Sequence, residues 1–168
     1  MPHLYLRGKP LGNLNCIIFD KDGTLVNSEA YLLYLAELRI KKALKIFKEE
    51  RLTLNRLNEM KNNLKKIYGV NNKQLCPNSS IAIGSREQNL ISTATIFSLA
   101  GNDWPRSIQM ASAIFNSADL CLNKANENKK KRPILPGTIN IIKGLSKSGF
   151  KLGMITNDDM NGVENFLK

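Results

Sequence analysis

The chain has 168 residues, with 25 lysine and arginine residues against 14 aspartate and glutamate residues, which gives a formal net charge of +11. Its 42% hydrophobic content suffices for one domain or two small ones, and no apolar stretch is long enough to cross a membrane. The three cysteines are odd in number and widely spaced, which favours reduced thiols in a cytoplasmic setting over a disulfide framework or a zinc site.

A run of apolar residues near the N-terminus ends in two aspartates. Residues 16–19 predict a short strand that is buried on both faces, as in a parallel sheet. Asp20 then lies at the carboxyl end of that strand, the end that faces the ligand crevice in open α/β sheets. If the chain stays extended, Asp20 and Asp22 lie on the same side and Lys21 points away. Two converging carboxylates suit Mg²⁺, which binds through one or two carboxylates together with substrate phosphate.

The residues around these aspartates add the chemistry of phosphoryl transfer. A carboxylate can attack phosphorus and form an aspartyl-phosphate, and Gly23 permits a tight turn whose backbone N–H groups approach a phosphate. Asp-Gly pairs also end strands in ordinary turns. The apolar strand before this pair and the Thr24-Leu25-Val26 segment after it favour a nucleophile and metal site over such a turn.

Residues 20–25, Asp-Lys-Asp-Gly-Thr-Leu, resemble the first motif of the haloacid dehalogenase superfamily. The resemblance implies that Asp20 is the nucleophile and Asp22 the general acid and base. It also implies that both residues hold Mg²⁺, Asp22 through its backbone carbonyl. Thr24 resembles the phosphatase branch, whereas sugar-phosphate mutases of the superfamily often carry valine there. The implied reaction is hydrolysis of a phosphomonoester through an aspartyl-phosphate, and a mutase is the alternative within the superfamily.

Residues 29–132 predict an all-helical insert. Apolar residues recur every three or four positions over residues 29–48, 54–68, 85–101 and 103–122, which predicts four amphipathic helices. Ser85 and Gln88 form a capping-box pattern at the third helix. The insert resembles the cap of phosphoglycolate-phosphatase-like members, which implies a lid that excludes water and selects the substrate. The predicted domains are thus a Rossmann-like α/β core, residues 1–28 and 133–168, and a helical cap, residues 29–132.

Positive charge is concentrated in this insert. Residues 31–132 carry 18 basic and eight acidic residues, which accounts for +10 of the net charge. Such a surface attracts a small phosphorylated metabolite, and Arg86, near a helix start, is the predicted substrate contact. Nucleic acid is the alternative partner that the high pI and the basic residues 129–132 raise. The scatter of basic residues over several helices argues against it, no membrane partner is indicated, and the oligomeric state stays open.

A second short strand is predicted over residues 150–155, and Thr156 and Asn157 follow it. A Thr-Asn pair is equally typical of a turn or a helix N-cap. Its position, after residues 133–137 and a predicted helix over 138–148, resembles the second motif of the superfamily. The resemblance implies that Thr156 hydrogen-bonds the phosphoryl group and that Asn157 adds a contact. Asp158 and Asp159 predict the N-cap of a helix over residues 160–167 in preference to a metal site.

The superfamily's third motif, which carries a lysine, and its fourth, which carries one or two acidic residues, both lie beyond the second. Only residues 158–168 follow here. The resemblance therefore predicts an incomplete core, a half-built Mg²⁺ site, and little or no activity for the chain as given, which we expect to be a fragment. The alternative function is a catalytically dead binding module that keeps the first motif as structure only.

Overall fold

The computed structural model describes residues 3–72, 74–126, 133–157 and 160–167, and it shows an α/β protein. In chain order its strands and helices are β1 (His3–Leu6), β2 (Lys9–Asn13), β3 (Cys16–Asp20), α1 (Glu29–Glu49), α2 (Leu54–Tyr68), β4 (Val70–Asn71), β5 (Gln74–Leu75), α3 (Ser80–Ile83), α4 (Arg86–Leu99), α5 (Trp104–Asn126), α6 (Thr138–Lys147), β6 (Lys151–Ile155) and α7 (Met160–Leu167). No helix of this described part is long and apolar enough to cross a bilayer.

The contacts of the chain divide it into two compact units. The α/β unit comprises Met1–Ser28 and Arg132–Thr156, and the helical unit comprises Glu29–Lys131 and Asn157–Lys168. The contacts thus group α7 with the helices, whereas the predicted core included residues 157–168. Because contacts alone do not establish domains, the predicted domain bounds stay a prediction.

The α/β unit contains an antiparallel hairpin and a parallel pair of strands. β1 pairs with β2 across a two-residue turn in which Arg7 and Gly8 have φ angles of 51° and 79°. Positive φ at both central residues matches the right-handed twist of the two strands, as in the common hairpin turns. β3 pairs in parallel with β6, with Asp20 opposite Ile155.

The predicted strand over residues 16–19 is confirmed, but the prediction that both of its faces are buried is wrong. Ile17 and Phe19 are half-buried, whereas Ile18 between them is 65% exposed. The cause is the small size of the sheet, because β3 pairs only with β6 among the described strands. Alternate side chains therefore face solvent, as they do in a sheet that is covered on one face.

The four helices predicted for the insert are confirmed as α1, α2, α4 and α5. Their apolar stripes meet in one core, whose fully buried large side chains are Phe47, Met60, Leu64, Tyr68, Phe97, Ile114 and Phe115. The helix ends follow from local sequence. Gly69 ends α2 in the left-handed conformation, with its N–H bonded to the carbonyls of Lys65 and Lys66. Ser85 and Gln88 form the predicted capping box at the start of α4.

Candidate functional site

The carboxyl edge of the parallel pair holds two of the predicted site residues. Asp20 is the last residue of β3 and is exposed, and its partner in the register is Ile155. Thr156 follows Ile155 directly and is half-buried. Because parallel strands end at the same edge of a sheet, the fold brings Asp20 and Thr156 to one edge of the α/β unit.

A tight turn follows Asp20 and is closed by its own backbone. The carbonyl of Lys21 accepts hydrogen bonds from the N–H groups of Leu25 at 2.9 Å and Val26 at 3.1 Å. Gly23 has a φ of 88° and donates its N–H to the carbonyl of Val26 at 2.9 Å. The turn, rather than close approach of a neighbouring atom, requires glycine here, since a Cβ on this residue would meet no atom within 4 Å. The predicted phosphate contact of the Gly23 N–H stays a prediction, and that N–H is bonded within the turn.

Backbone hydrogen bonds also connect the turn to residues 133–135. Leu25 and Val26 are buried, and Leu25 accepts a hydrogen bond from the N–H of Leu135 at 3.0 Å. The N–H of Asn27 donates to the carbonyl of Pro133 at 2.9 Å. These bonds tie the segment after Asp20 to the chain that returns towards β6, and they fix the position of the turn within the α/β unit.

The two carboxylates have different partners. The Thr24 hydroxyl donates to Oδ2 of Asp20 at 3.0 Å in an exposed position. The Lys21 ammonium lies 2.7 Å from Oδ2 of Asp22, and the Ser28 hydroxyl donates to Oδ1 of Asp22. The side chain of Lys21 is only 2% exposed, and that of Asp22 is 23% exposed. Asp22 is thus oriented by an ion pair and a hydrogen bond, whereas the carboxylate of Asp20 faces solvent.

Lys21 is a residue of the site that the sequence reasoning missed. The expectation that it points away from the aspartates assumed an extended chain, but β3 ends at Asp20 and the chain bends at Lys21. A buried ammonium requires a counter-charge, and the adjacent Asp22 supplies one. The sequence signal that could have found it is a lysine between two aspartates directly after an apolar strand.

Asn157, the second residue of the predicted phosphate contact, has a hydrogen-bond partner within the helical unit. The Asn157 side-chain amide donates to the carbonyl of Ile83, the last residue of α3, at 3.1 Å. Asn157 is grouped with the helical unit by its contacts, whereas Thr156 is grouped with the α/β unit. The predicted N-cap residues Asp158 and Asp159 lie outside the described residues.

Arg86, the predicted substrate contact, is engaged by the helical unit itself. Its guanidinium donates to Oδ2 of Asp119 through Nε at 3.1 Å and Nη2 at 2.9 Å, and Nη2 also donates to Oδ1 of Asn116 at 2.9 Å. The guanidinium of Arg39 stacks at 3.6 Å from the centre of the Phe115 ring and lies 4.0 Å from Asp119. Burial lowers the pKa of Arg39, and its Nε has no hydrogen-bond partner among the described residues. Arg39 carries no signal in the sequence that marks it as a buried cation.

The donor chemistry of the carboxyl edge fits a hard cation. Carboxylate oxygens are the ligands that Mg²⁺ prefers, and it needs only one or two of them besides water and substrate phosphate. Within the described ranges, no cluster of three or more histidine, cysteine, aspartate or glutamate residues could hold a metal ion. Asp20 and Asp22 are the described acidic residues next to this edge, and one or two protein ligands suffice for a site that water and substrate phosphate complete.

The chain matches a known protein family over most of its length. A family model described as a haloacid dehalogenase-like hydrolase matches residues 14–168, which include Asp20, Asp22 and Thr156. Compared with individual curated proteins, the chain gives no match.

Proposed function

The chain belongs to the haloacid dehalogenase-like hydrolases, and we propose that it is a Mg²⁺-dependent phosphatase that acts through an aspartyl-phosphate on Asp20. One observation carries the proposal. Asp20 presents an exposed carboxylate at the carboxyl end of β3, at the same sheet edge as Thr156, which follows the parallel neighbour β6. A nucleophile and a hydroxyl donor at one edge are the minimum set for holding and attacking a phosphoryl group.

In the first half of the proposed reaction, a carboxylate oxygen of Asp20 forms a bond to phosphorus while the bond from phosphorus to the ester oxygen breaks. Asp22 gives its proton to the leaving alkoxide. The Thr156 hydroxyl donates to an oxygen of the phosphoryl group and holds it in line for attack. The products of this half are the free alcohol and phosphorylated Asp20.

In the second half, Asp22 accepts a proton from water, and the water oxygen forms a bond to phosphorus. The bond between phosphorus and Asp20 breaks, which releases inorganic phosphate and regenerates the carboxylate. Lys21 and Ser28 fix the orientation of Asp22 through contacts with its two oxygens, and an ion pair suits the ionised carboxylate that accepts the proton in this half. The same carboxyl group takes part in both proton transfers, so its position must stay fixed between them. The turn that carries Asp22 is closed by backbone hydrogen bonds, which hold that position.

The carboxylate of Asp20 and the backbone carbonyl of Asp22 would hold the Mg²⁺ ion of the proposed reaction. When bound, the ion neutralises charge on the phosphoryl oxygens and orients the group. Because the described residues supply few ligands at this edge, binding of the ion should be weak in the absence of a phosphate ligand.

We further propose that the helical unit serves as the cap and that the substrate is a small phosphorylated metabolite, as in the phosphoglycolate-phosphatase-like branch. The support is the position of the insert between β3 and β6 along the chain and the net charge of +10 over residues 31–132. Arg86 has a fixed orientation and a side chain that is 41% exposed, so it stays the first residue of the insert to test as a substrate contact.

The test is trapping of the phosphorylated intermediate, which reports the first half of the reaction separately from turnover. The chain is incubated with Mg²⁺ and 4-nitrophenyl phosphate labelled in the phosphoryl group, quenched in acid and separated from free label. We expect label on the protein that hydroxylamine releases, as expected for an acyl phosphate. Asp20→Asn should abolish the label, and removal of Mg²⁺ with a chelator should do the same.

Two further variants sharpen this test. In Asp22→Asn the label should persist longer, since 4-nitrophenol leaves without help from an acid whereas attack by water needs a base. Glu59→Gln changes an exposed carboxylate of α2 in the same way and should leave labelling unchanged. Absence of label on the unaltered chain would contradict the proposal and favour the catalytically dead module. Transfer of label to a sugar phosphate instead of water would favour the mutase.

A further inference from the structure

The surface of α1 and α2 contains a groove of about 680 Å³ with an unusual charge composition. Six of its ten lining residues are lysines, and only one is acidic. The groove lies wholly within the helical unit, and its lining includes none of the residues proposed for phosphate chemistry. Its lining residues are Glu37, Leu38, Ile40, Lys41, Lys42, Leu44, Lys45 and Lys48 of α1, and Lys61 and Lys65 of α2. We name it the lysine groove.

The positive charge of the lysine groove is poorly compensated. Lys42 donates to the Ser117 hydroxyl at 2.7 Å, and Lys45 lies 4.0 Å from Glu49 in an exposed pair, which contributes little. Among the described residues, no carboxylate forms an ion pair with the four remaining lysines, Lys41, Lys48, Lys61 and Lys65.

Helix geometry makes this excess of charge unfavourable for the isolated chain. Lys41 and Lys45 lie one turn apart on α1, and Lys61 and Lys65 lie one turn apart on α2. Like charges at that spacing repel and destabilise a helix. A bound anion would relieve the repulsion along both helices, so the groove is suited to an extended polyanionic partner and not to a single small anion.

The aliphatic residues of the groove decide between the classes of polyanion. Ile40 is buried and Leu38 and Leu44 are half-buried, whereas five of the six lysines are exposed. The groove thus has an apolar base and charged rims. It has no aromatic lining residue, and single-stranded nucleic acid binds by stacking its bases on aromatic side chains. A membrane surface instead requires apolar groups that project beyond the charges and insert into lipid.

We propose that the lysine groove is a docking surface for an acidic amphipathic helix of a partner protein. The apolar stripe of such a helix covers the aliphatic base, and its flanking carboxylates pair with the lysines on the two rims, as charged flanks do in helix-in-groove complexes and coiled coils. A second copy of the chain is a poor partner, because it carries the same net charge of +11.

The experiment uses the full chain and a labelled synthetic peptide of about three heptads, with leucines along one stripe and glutamates on both sides of it. Binding is followed by fluorescence anisotropy. The comparison peptide has the same composition in scrambled order, which keeps the charge and removes the stripe. We expect the amphipathic peptide to bind at least about tenfold more tightly than the scrambled one, and its affinity to fall with added salt.

Two matched sets of substitutions locate the binding site. Lys41→Glu, Lys48→Glu, Lys61→Glu and Lys65→Glu, combined in one variant, should weaken binding by at least about tenfold. Lys9→Glu, Lys143→Glu, Lys147→Glu and Lys151→Glu change the net charge equally at exposed positions of the α/β unit and should leave affinity within about twofold. The corresponding four glutamine substitutions in the groove remove the repulsion, so they preserve folding and should still weaken binding.

Three outcomes would overturn the proposal. Equal binding of the scrambled peptide would show attraction by charge alone. An equal loss in both sets of charge reversals would show that net charge, and not the groove, is responsible. Tighter binding of a uridine oligonucleotide, or of vesicles containing phosphatidylserine, with loss of that binding in the groove variant, would assign the groove to nucleic acid or to a membrane surface.

Discussion

The helical unit encloses three phenylalanine rings completely, whereas the α/β unit leaves aliphatic side chains of its parallel strands in solvent. Phe47, Phe97 and Phe115 are fully buried, but Ile18 and Ile155 are about two-thirds exposed. The helical unit therefore has a closed core of its own. The carboxyl edge of the α/β unit depends instead on local contacts, chiefly the backbone bonds of the turn after Asp20 and the Lys21–Asp22 ion pair.

The largest predicted effect tests whether the two units differ in packing. Phe97→Ala removes a fully buried ring that contacts Phe47 at a centroid distance of 5.0 Å, and it should cost about 3 to 5 kcal/mol. Phe19→Ala removes a half-buried ring of β3 and should cost about half as much or less. Hydrogen exchange measured by mass spectrometry reports the loss of protection in α4 and β3 separately. Equal costs would contradict the contrast between a closed and an open core.

The difference between the units also explains which parts of the fold the sequence predicts. Helix periodicity is a local signal, so the four helices α1, α2, α4 and α5 and the Ser85 capping box follow from neighbouring residues, although α5 extends four residues beyond its predicted end at residue 122. Strand burial depends on how many strands pair in the folded sheet. The strand over residues 16–19 could therefore be predicted, but the exposure of Ile18 could not.

In the candidate site, too, the sequence predicts the features that depend on local signals and misses the contacts that depend on the fold. The positions of Asp20 and Thr156 follow from where two short strands end. The Lys21–Asp22 contact depends on a bend that the extended-chain argument did not include. The partner of Arg86 is Asp119, 33 residues away on another helix, and the burial of Arg39 depends on the same packing. Sequence spacing does not determine contacts of that kind.

The second prediction tests the contribution of local contacts in the α/β unit. Lys21→Met removes the ammonium, so the largely buried Asp22 carboxylate loses its ion-pair partner. The substitution should lower the free energy of unfolding by about 1 to 3 kcal/mol. Lys151→Met, at an exposed position of β6, should change stability by less than about 0.5 kcal/mol. The hydrogen-exchange rates of the Leu25 and Val26 amides measure the loss of stability within the turn itself. Unchanged rates in Lys21→Met would show that backbone hydrogen bonds alone hold the turn.

The third prediction uses pH to test the closed core of the helical unit. Burial raises the pKa of Tyr68, and the hydrogen bond with Thr93 and the charge of Arg39 only partly offset that effect. In the unfolded chain the phenol ionises at its ordinary pKa of about 10, so the unfolded state releases this proton first as pH rises. The contribution to stability is complete below about pH 10 and is lost above it, by up to about 1.4 kcal/mol per pH unit.

Urea unfolding, followed by circular dichroism between about pH 8 and pH 11, measures this dependence. Tyr68→Phe should reduce the loss of stability at high pH, whereas Tyr5→Phe, at an exposed position of β1, should not. If the free energy of unfolding falls equally with pH in the unaltered chain, Tyr68→Phe and Tyr5→Phe, then Tyr68 ionises as readily in the folded chain as in the unfolded chain. That result would contradict a dry core around it.

The smallest predicted effect concerns a helix end that the sequence specifies completely. The Ser85 hydroxyl accepts the Gln88 N–H at 3.1 Å, and the Gln88 side chain accepts the Ser85 N–H at 2.8 Å. Ser85→Ala removes one of these bonds and should cost about 1 kcal/mol. Ser92→Ala is the matched control, because its hydroxyl bonds the Gln88 carbonyl within the helix and alanine there is neutral or slightly stabilising. A smaller cost for Ser85→Ala than for Ser92→Ala would show that packing against the core, and not the cap, positions the start of α4.

Since Arg86 is the first residue of that helix, a frayed start should also weaken its bonds to Asp119. A double-mutant cycle of Ser85→Ala and Asp119→Asn measures that coupling.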